Sequence, residues 1–113
     1  MLEKTYKAIG VDLDETLLDT EKGISDTNLT CIGQAKEHNC RIIVCSGRAP
    51  AAMRGYIDEL GPWEKEDVYI ALNGCMMFKA ATHEAVEANF FPHEYAADFI
   101  RIARQNNDTL NLH

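Results

Sequence analysis

Three short apolar runs that contain β-branched residues are separated in this chain by stretches of helical periodicity. The runs span residues 6–11, 41–45 and 68–72, and the middle one reads Arg-Ile-Ile-Val-Cys. Runs of this length are typical of buried strands. Strands that alternate with helices of about 10 to 15 residues form right-handed β-α-β units. The pattern therefore predicts an α/β fold with a parallel sheet ordered one, two, three.

Two helices are predicted between these strands. Ser25 is a typical N-cap for the first helix, which should stop at Asn39, and Pro50 stands where a second helix would begin. Gly61-Pro62 ends the second helix, and residues 15–22 form a polar loop or small flap before the first. The apolar residues at helical spacing are Leu29, Ile32 and Ala35 in the first helix and Met53, Tyr56, Ile57 and Leu60 in the second.

A β-hairpin is predicted after the third strand. Asn73-Gly74 separates that strand from residues 75–78, and Asn-Gly is a strong hairpin signal. Residues 85–91 are a candidate third member of the hairpin, and Pro92 should open a last helix. That helix would carry Tyr95, Phe99 and Ile102 on one face, break at residues 106–108, and be followed by an extended segment, 109–113.

Composition excludes several classes of function. The 113 residues carry a formal net charge of −7 with scattered positive residues, so a nucleic-acid partner is not expected. The chain has no apolar run approaching about 18 residues, and its first seven residues are too polar for a secretory signal, so we expect a cytoplasmic protein without membrane contact. The four cysteines form no Cys-x-x-Cys spacing and should be buried reduced thiols. The four histidines lack metal-ligand spacing and should be exposed or capping residues.

Two acids, Asp12 and Asp14, follow the first predicted strand. If both lie on the strand, their side chains leave the same face about 6 to 7 Å apart. Two like charges at that distance repel each other, and a bound divalent cation would remove the repulsion. The alternative is a solvated strand end with a turn-forming acid, which a bare Asp-x-Asp pattern does not exclude.

A second polar cluster follows the second strand. Ser46-Gly47-Arg48 supplies a hydroxyl, a backbone turn that could hold phosphate oxygens, and a cation. Ligands bind at the carboxyl ends of parallel strands, so Asp12 and Ser46 should share one edge of the sheet. Taken singly, Ser46-Gly47 is a simple turn, Arg48 a surface cation and Asn73-Gly74 a hairpin turn. Their joint placement favours a site.

These segments together resemble the haloacid dehalogenase (HAD) superfamily, and in particular its Cof-type, sugar-phosphatase branch. The matching motifs are Asp12-Leu13-Asp14-Glu15-Thr16-Leu17-Leu18, Ser46-Gly47-Arg48 and Leu72-Asn73-Gly74. The resemblance spans nearly the whole chain. It implies part of a Rossmann-like parallel sheet with flanking helices and a β-hairpin, Mg²⁺ as cofactor, and a small phosphorylated metabolite as substrate.

The resemblance also implies a role for each motif residue. Asp12 would be the nucleophile that forms an aspartyl-phosphate, and Asp14 the general acid and then base. Mg²⁺ would be held by the Asp12 carboxylate and the Asp14 backbone carbonyl. The remaining candidates bind phosphate or substrate or support the loop: Thr16, Ser46, Gly47, Arg48, Asn73 and Gly74.

Two departures from the family pattern bear on activity. Glu15 replaces the usual glycine, and the family's lysine and Gly-Asp-x-x-x-Asp loop have no counterpart here. The resemblance therefore predicts a core part over 1–91 and the start of a cap domain, or a C-terminal helix, over 92–113. Losing several preorganised charges costs on the order of 10⁶ in rate, so the chain alone should be inactive or nearly so.

Other readings stay open. The chain could be a regulatory module that binds phosphate or metal without turnover. A receiver-like domain is a weaker alternative, because its acids lie on different strands. In the family sheet the first strand is central, so here it should have an unpaired edge that recruits a second copy or a complementing chain.

Overall fold

Parallel and antiparallel pairing meet in one five-stranded sheet. The structure, a computed structural model, describes residues 5–90 and 92–106. In these residues the sheet has the order β1-β2-β3-β4-β5. The strands are β1 (Ala8–Val11), β2 (Arg41–Cys45), β3 (Val68–Ala71), β4 (Met76–Lys79) and β5 (Ala85–Ala88), and the helices are α1 (Asp26–Glu37), α2 (Pro50–Glu59) and α3 (His93–Asn106).

The parallel half of the sheet has the predicted order. Val11 is paired with Val44 on β2, and Val44 is paired with Tyr69 on β3, both in parallel register. The predicted helix starts are also confirmed. The Ser25 hydroxyl accepts a hydrogen bond from the Asn28 backbone at 3.1 Å, and Pro50 is the first residue of α2.

The hairpin is confirmed, but its loop is longer than an Asn-Gly turn. Ala71 pairs with Met76, so four residues connect β3 to β4. Asn73 has a φ of 53° and Gly74 a φ of 100°, conformations that asparagine and glycine adopt at low cost. The strand β5 then adds to β4 in antiparallel register and stops at Ala88, before the predicted end at residue 91, which lies outside the described residues.

The core lies on one face of the sheet. Ile42, Val44 and Tyr69 are almost fully buried there, and Met53 and Ile57 of α2 belong to the same cluster. The prediction that β1 is a buried strand is wrong for the described residues: Ile9 is 39% exposed. The reason is that β1 is an edge strand in the sheet that residues 5–90 and 92–106 form, where its one neighbour is β2.

Two composition-based predictions need correction. Cys40 is buried, but Cys31 and Cys75 are exposed, because the former lies on the solvent side of α1 and the latter in the hairpin loop. His83 is neither exposed nor a cap. It is half-buried and lies between the Tyr69 hydroxyl and the Asp58 carboxylate.

The last described element is the helix predicted after Pro92. It runs to Asn106, and its apolar residues Tyr95, Phe99 and Ile102 are exposed. The predicted extended segment 109–113 lies outside the described residues. Among the helices within residues 5–90 and 92–106, none combines the length and apolar character required to cross a membrane.

Candidate active site

The chain turns sharply where β1 ends. Asp12 is extended, with a φ of −85°, and its carboxylate accepts a hydrogen bond from the Leu13 backbone at 2.8 Å. The next residues form one wide helical turn closed by the Leu18 amide donating to the Leu13 carbonyl at 2.9 Å. Asp14 therefore does not lie on the strand, and the prediction of two acids on one strand face is wrong. The turn buries Leu13, Leu17 and Leu18 together, which strand alternation could not do.

Asp12 lines a cavity of about 350 Å³ at the carboxyl ends of the parallel strands. The other lining residues come from the ends of β2 and β3 and from the hairpin loop. They are Cys45, Ser46, Gly47, Ile70, Asn73 and Gly74. Five of the predicted site residues therefore meet at one cavity, on the edge of the sheet where the strand order places them.

Ser46 lies in the cavity wall and makes hydrogen bonds to three neighbouring residues. Its side chain is buried and its hydroxyl accepts a hydrogen bond from the Arg48 backbone at 3.1 Å, which leaves the hydroxyl proton available to a ligand. The Ser46 amide donates to the Ile70 carbonyl and its carbonyl accepts from the Asn73 amide. These bonds attach the turn after β2 to the hairpin loop after β3.

Gly47 is required by the close approach of Asn73. A Cβ atom at residue 47 would lie 2.9 Å from Oδ1 of Asn73, below any normal contact distance. The amide side chain of Asn73 consequently sits directly over the turn, at the cavity wall.

Asp14 is held by two cations outside the cavity lining. Arg48 donates from Nε to Oδ2 at 2.8 Å and from Nη2 to Oδ1 at 2.7 Å. Lys22 donates from Nζ to Oδ1 at 3.0 Å. Two hydrogen bonds, a larger contribution from Arg48 and a smaller one from Lys22, hold the pKa of Asp14 far below its usual range. Asp14 is thus a carboxylate in this arrangement.

Lys22 belongs to a small flap between β1 and α1. An antiparallel bridge joins Leu18 to Ile24, and the side chain of Asp19 accepts bonds from the Glu21 and Gly23 amides. The Tyr56 hydroxyl donates to the Lys22 carbonyl at 2.8 Å, which fixes the flap to α2. The loop or flap predicted for residues 15–22 is confirmed from Leu18 onward, whereas residues 15–17 belong to the helical turn, and the flap closes at Ile24.

Comparison with known proteins identifies the family. A family model described as haloacid dehalogenase-like hydrolase matches residues 9–113. The chain belongs to this family. YxeH of Bacillus subtilis, provisionally named a phosphatase, is 33% identical over 81 residues, which cover 72% of this chain and 30% of YxeH. A second provisionally named phosphatase, from Streptococcus pyogenes serotype M6, is 28% identical over 82 residues and is also covered to 30%.

Solved structures agree with the family assignment. A haloacid dehalogenase-like hydrolase from Bacteroides thetaiotaomicron superimposes with a TM-score of 0.74 at 28% identity, covering 91% of this chain and 39% of that protein. BT1666, a HAD-superfamily phosphatase from the same organism, gives a TM-score of 0.77 at 23% identity, which shows the shared fold. It is covered to 36%, so the chain spans about a third of the length of these relatives.

Several residues at the cavity and beside it could not be identified from motifs. Cys45 and Ile70 line the cavity. The pKa of the Cys45 thiol is raised mainly by burial and, to a smaller extent, by the negative charge of Asp12. Lys22 was not predicted, since a single lysine in a polar loop forms no motif. The contact that reveals it joins residues eight positions apart in sequence through a folded flap.

Thr16 and Glu15 lie outside the cavity lining. Both are exposed. Glu15 has a φ of 60°, a left-handed conformation in which glycine is less strained. The left-handed backbone conformation therefore explains why glycine is usual at this position in the family. Glu15 adopts this conformation with some steric strain.

The oxygen donors near Asp12 suit a hard cation. Mg²⁺ prefers oxygen ligands and is commonly held by one or two carboxylates together with water and substrate phosphate. Asp12 offers a carboxylate at the cavity. Among residues 5–90 and 92–106, however, no group of three or more histidine, cysteine or acidic side chains gathers around one point. The donor type fits Mg²⁺, and the number of protein ligands is small.

Proposed function

We propose that this HAD-like chain carries the phosphoryl-accepting part of a phosphatase site that acts on small phosphorylated metabolites such as sugar phosphates. The observation that supports the proposal is the meeting of Asp12 with Ser46 and Asn73 at one cavity. A nucleophilic carboxylate, a hydroxyl and an amide at the carboxyl edge of a parallel sheet suit a tetrahedral oxyanion. The family's phosphatase relatives agree with this reaction class.

The proposed reaction has two displacements. A carboxylate oxygen of Asp12 attacks phosphorus and the bond from phosphorus to the ester oxygen breaks. Asp14, which first leaves Arg48 and Lys22 and takes up a proton from solvent, gives that proton to the leaving oxygen. Water then attacks the aspartyl-phosphate, Asp14 takes its proton, and inorganic phosphate and free Asp12 are formed. The Ser46 hydroxyl binds a phosphoryl oxygen in both steps.

Mg²⁺ is the proposed cofactor. The Asp12 carboxylate and the Asp14 backbone carbonyl would hold it, together with substrate oxygens and water. When bound, such an ion offsets the repulsion between an anionic nucleophile and an anionic phosphate.

The proposed macromolecular partner is a second chain that adds strands to β1. The outer edge of β1 has no partner strand among residues 5–90 and 92–106. Such an edge offers unpaired backbone groups to another strand. A second copy or a separate complementing chain would satisfy them.

Phosphorylation of Asp12 is the direct test. The chain is incubated with Mg²⁺ and a panel of sugar phosphates, quenched in acid, and analysed by intact mass and by phosphate release. Over a long incubation, which offsets the low rate predicted from the sequence, the expected result is a phosphoryl adduct that Asp12→Asn abolishes. Asp26→Asn, the same change in the first turn of α1, should keep the adduct. An adduct that survives Asp12→Asn would refute the assignment.

A second candidate is a module that binds phosphate or metal without turnover. It is favoured by the small number of acidic ligands near Asp12 in the described part of the chain. Calorimetry that detects Mg²⁺ or phosphate binding, with no product after long incubation, would support this module over the enzyme.

A further inference from the structure

We propose that Lys22 and Arg48, here called the cation pair, bind anionic oxygens of the phosphorylated substrate, and that the Asp14 carboxylate occupies their place when substrate is absent. The inference rests on the proposed function, because it concerns how the same site recognises its substrate. It adds Lys22, a flap residue outside every motif of the chain, to the substrate-binding groups.

The cation pair converges on one oxygen. Lys22 Nζ lies 3.0 Å and Arg48 Nη2 lies 2.7 Å from the same Oδ1 of Asp14, and Arg48 Nε binds the other oxygen at 2.8 Å. The two donors come from different segments, the flap and the turn after β2. Carboxylate and phosphoryl groups both present two oxygens at a spacing that matches the guanidinium fork. The geometry that holds Asp14 therefore also suits a phosphoryl group.

The charges favour a dianion over a carboxylate. The cation pair carries two positive charges, and Asp14 supplies one negative charge, so the cluster keeps a surplus of one. A phosphate monoester carries about −1.5 to −2 near pH 7. Substrate phosphate would neutralise the cation pair more completely than Asp14 does.

The cluster is open enough for exchange. The side chains of Lys22, Asp14 and Arg48 are 55%, 39% and 26% exposed. Water reaches all three side chains at such exposure and competes for their charges. A dissolved anion can therefore reach the cation pair and replace Asp14 without unfolding any element.

The backbone holds both cations next to the cavity. Lys22 has a φ of 63°, an uncommon conformation for lysine, and it is fixed by bonds from its amide to the Asp19 carbonyl and to its carbonyl from Tyr56. The Arg48 amide donates to Ser46, a wall residue of the Asp12 cavity. Strained residues that the surrounding structure holds in place are found at functional sites. A lysine serving only solubility would need no such support.

Inorganic phosphate is the probe for the cation arm of the test. The chain is titrated by calorimetry at low ionic strength without metal. Lys22→Gln should weaken phosphate binding about tenfold, the loss of one charge-assisted contact, and Lys22→Arg should restore most of it. Lys65→Gln makes the same charge change on the exposed loop before β3 and should alter affinity less than about twofold. Lys22→Met provides a second neutral variant should Lys22→Gln fail to fold.

The acid arm tests whether Asp14 competes with the anion. Asp14→Asn should tighten phosphate binding about tenfold, because the competing carboxylate is gone. Glu15→Gln removes an adjacent exposed charge that binds neither cation and should have a much smaller effect.

Two results would overturn the inference: equal phosphate affinity in the wild type and Lys22→Gln, or equal tightening by Glu15→Gln and Asp14→Asn. Either result leaves the Asp12 adduct experiment unaffected. Conversely, a missing Asp12 adduct together with a tenfold effect of Lys22→Gln would reject the enzyme and keep the anion site.

Discussion

Arg48 binds both carboxylate oxygens of Asp14, at 2.8 Å from Nε to Oδ2 and 2.7 Å from Nη2 to Oδ1. This contact joins the turn after β1 to the turn after β2, which are 34 residues apart in sequence. Bidentate pairs of this kind fix orientation as well as distance. The two ends of the candidate active site are thereby held against each other before any ligand binds.

The ion pair between Arg48 and Asp14 should make the stability of the fold depend on pH. The bond to Arg48 lowers the pKa of Asp14 in the folded chain, whereas the unfolded value is about 3.9. A group with a lowered folded pKa stabilises the fold above its unfolded pKa, and this contribution is lost as pH falls through the folded pKa. The difference in urea midpoint between the wild type and Arg48→Gln should be constant from about pH 7 to 5 and shrink below about pH 4.

Arg101→Gln is the control for this measurement. Arg101 pairs with Asp98 at 3.2 Å on an exposed face of α3, where such pairs contribute little. Its urea midpoint should follow the wild type at every pH. A midpoint difference for Arg48→Gln that stays unchanged down to about pH 3 would contradict the assignment.

Gly47→Ala should disturb the cavity more than the fold. The added Cβ would lie 2.9 Å from Oδ1 and 3.2 Å from Nδ2 of Asn73, and the exposed amide side chain can move away. We expect weaker phosphate binding and a shifted Asn73 side-chain amide signal in NMR. The control is Gly33→Ala in α1, where the added Cβ would meet no atom within 4 Å apart from its chain neighbours and the backbone of its own helix. It should raise stability by about 0.5 to 1 kcal/mol and leave the Asn73 signal in place.

His83→Ala should destabilise the chain because it leaves the buried Tyr69 hydroxyl without its hydrogen-bond partner His83. The Tyr69 hydroxyl lies 2.9 Å from Nδ1 of His83, and Nε2 of His83 lies 2.7 Å from Oδ1 of Asp58. Tyr69 is fully buried, so losing its partner should cost about 1 to 3 kcal/mol in the free energy of unfolding. In a Tyr69→Phe background the same substitution should cost less. Equal costs in both backgrounds, measured by urea unfolding, would show that the two side chains are not coupled.

The open edge of β1 should drive association. We expect light scattering at dilute concentration to give a mass above the 12.7 kDa of one chain. Ile9→Lys places a charge on this edge strand and should lower the measured mass, whereas Val86→Lys on β5 should not if β1 is the contact. A clean monomer in the wild type would argue against this partner.

The alternation of strands and helices was accessible from sequence because it follows local rules. The run from Arg41 to Cys45, the Ser25 cap and the Pro50 start each depend on neighbours in the chain, and the structure confirms all three. The meeting of Asp12 with Ser46 was also predictable, since adjacent parallel strands bring their carboxyl ends to one edge.

The errors have a common physical origin in burial and long-range pairing. The strand assignment failed for Asp14 because three leucines after Asp12 had to reach the core, which required a turn. The exposure of β1 depends on which strands flank it, and no local pattern contains that information. The division of the chain at residue 91 and the extended segment 109–113 stay predictions.

Local sequence patterns were sufficient to predict the order of the elements, the edge of the sheet that carries the polar residues, and the types of side chain available there. The contacts that those side chains make depend on the folded chain. In the fold, Asp14 lies outside the cavity lining and binds Arg48 and Lys22. The strength of an ion pair depends on the distance between its charges, and the packing of the flap, the turn and α2 sets that distance.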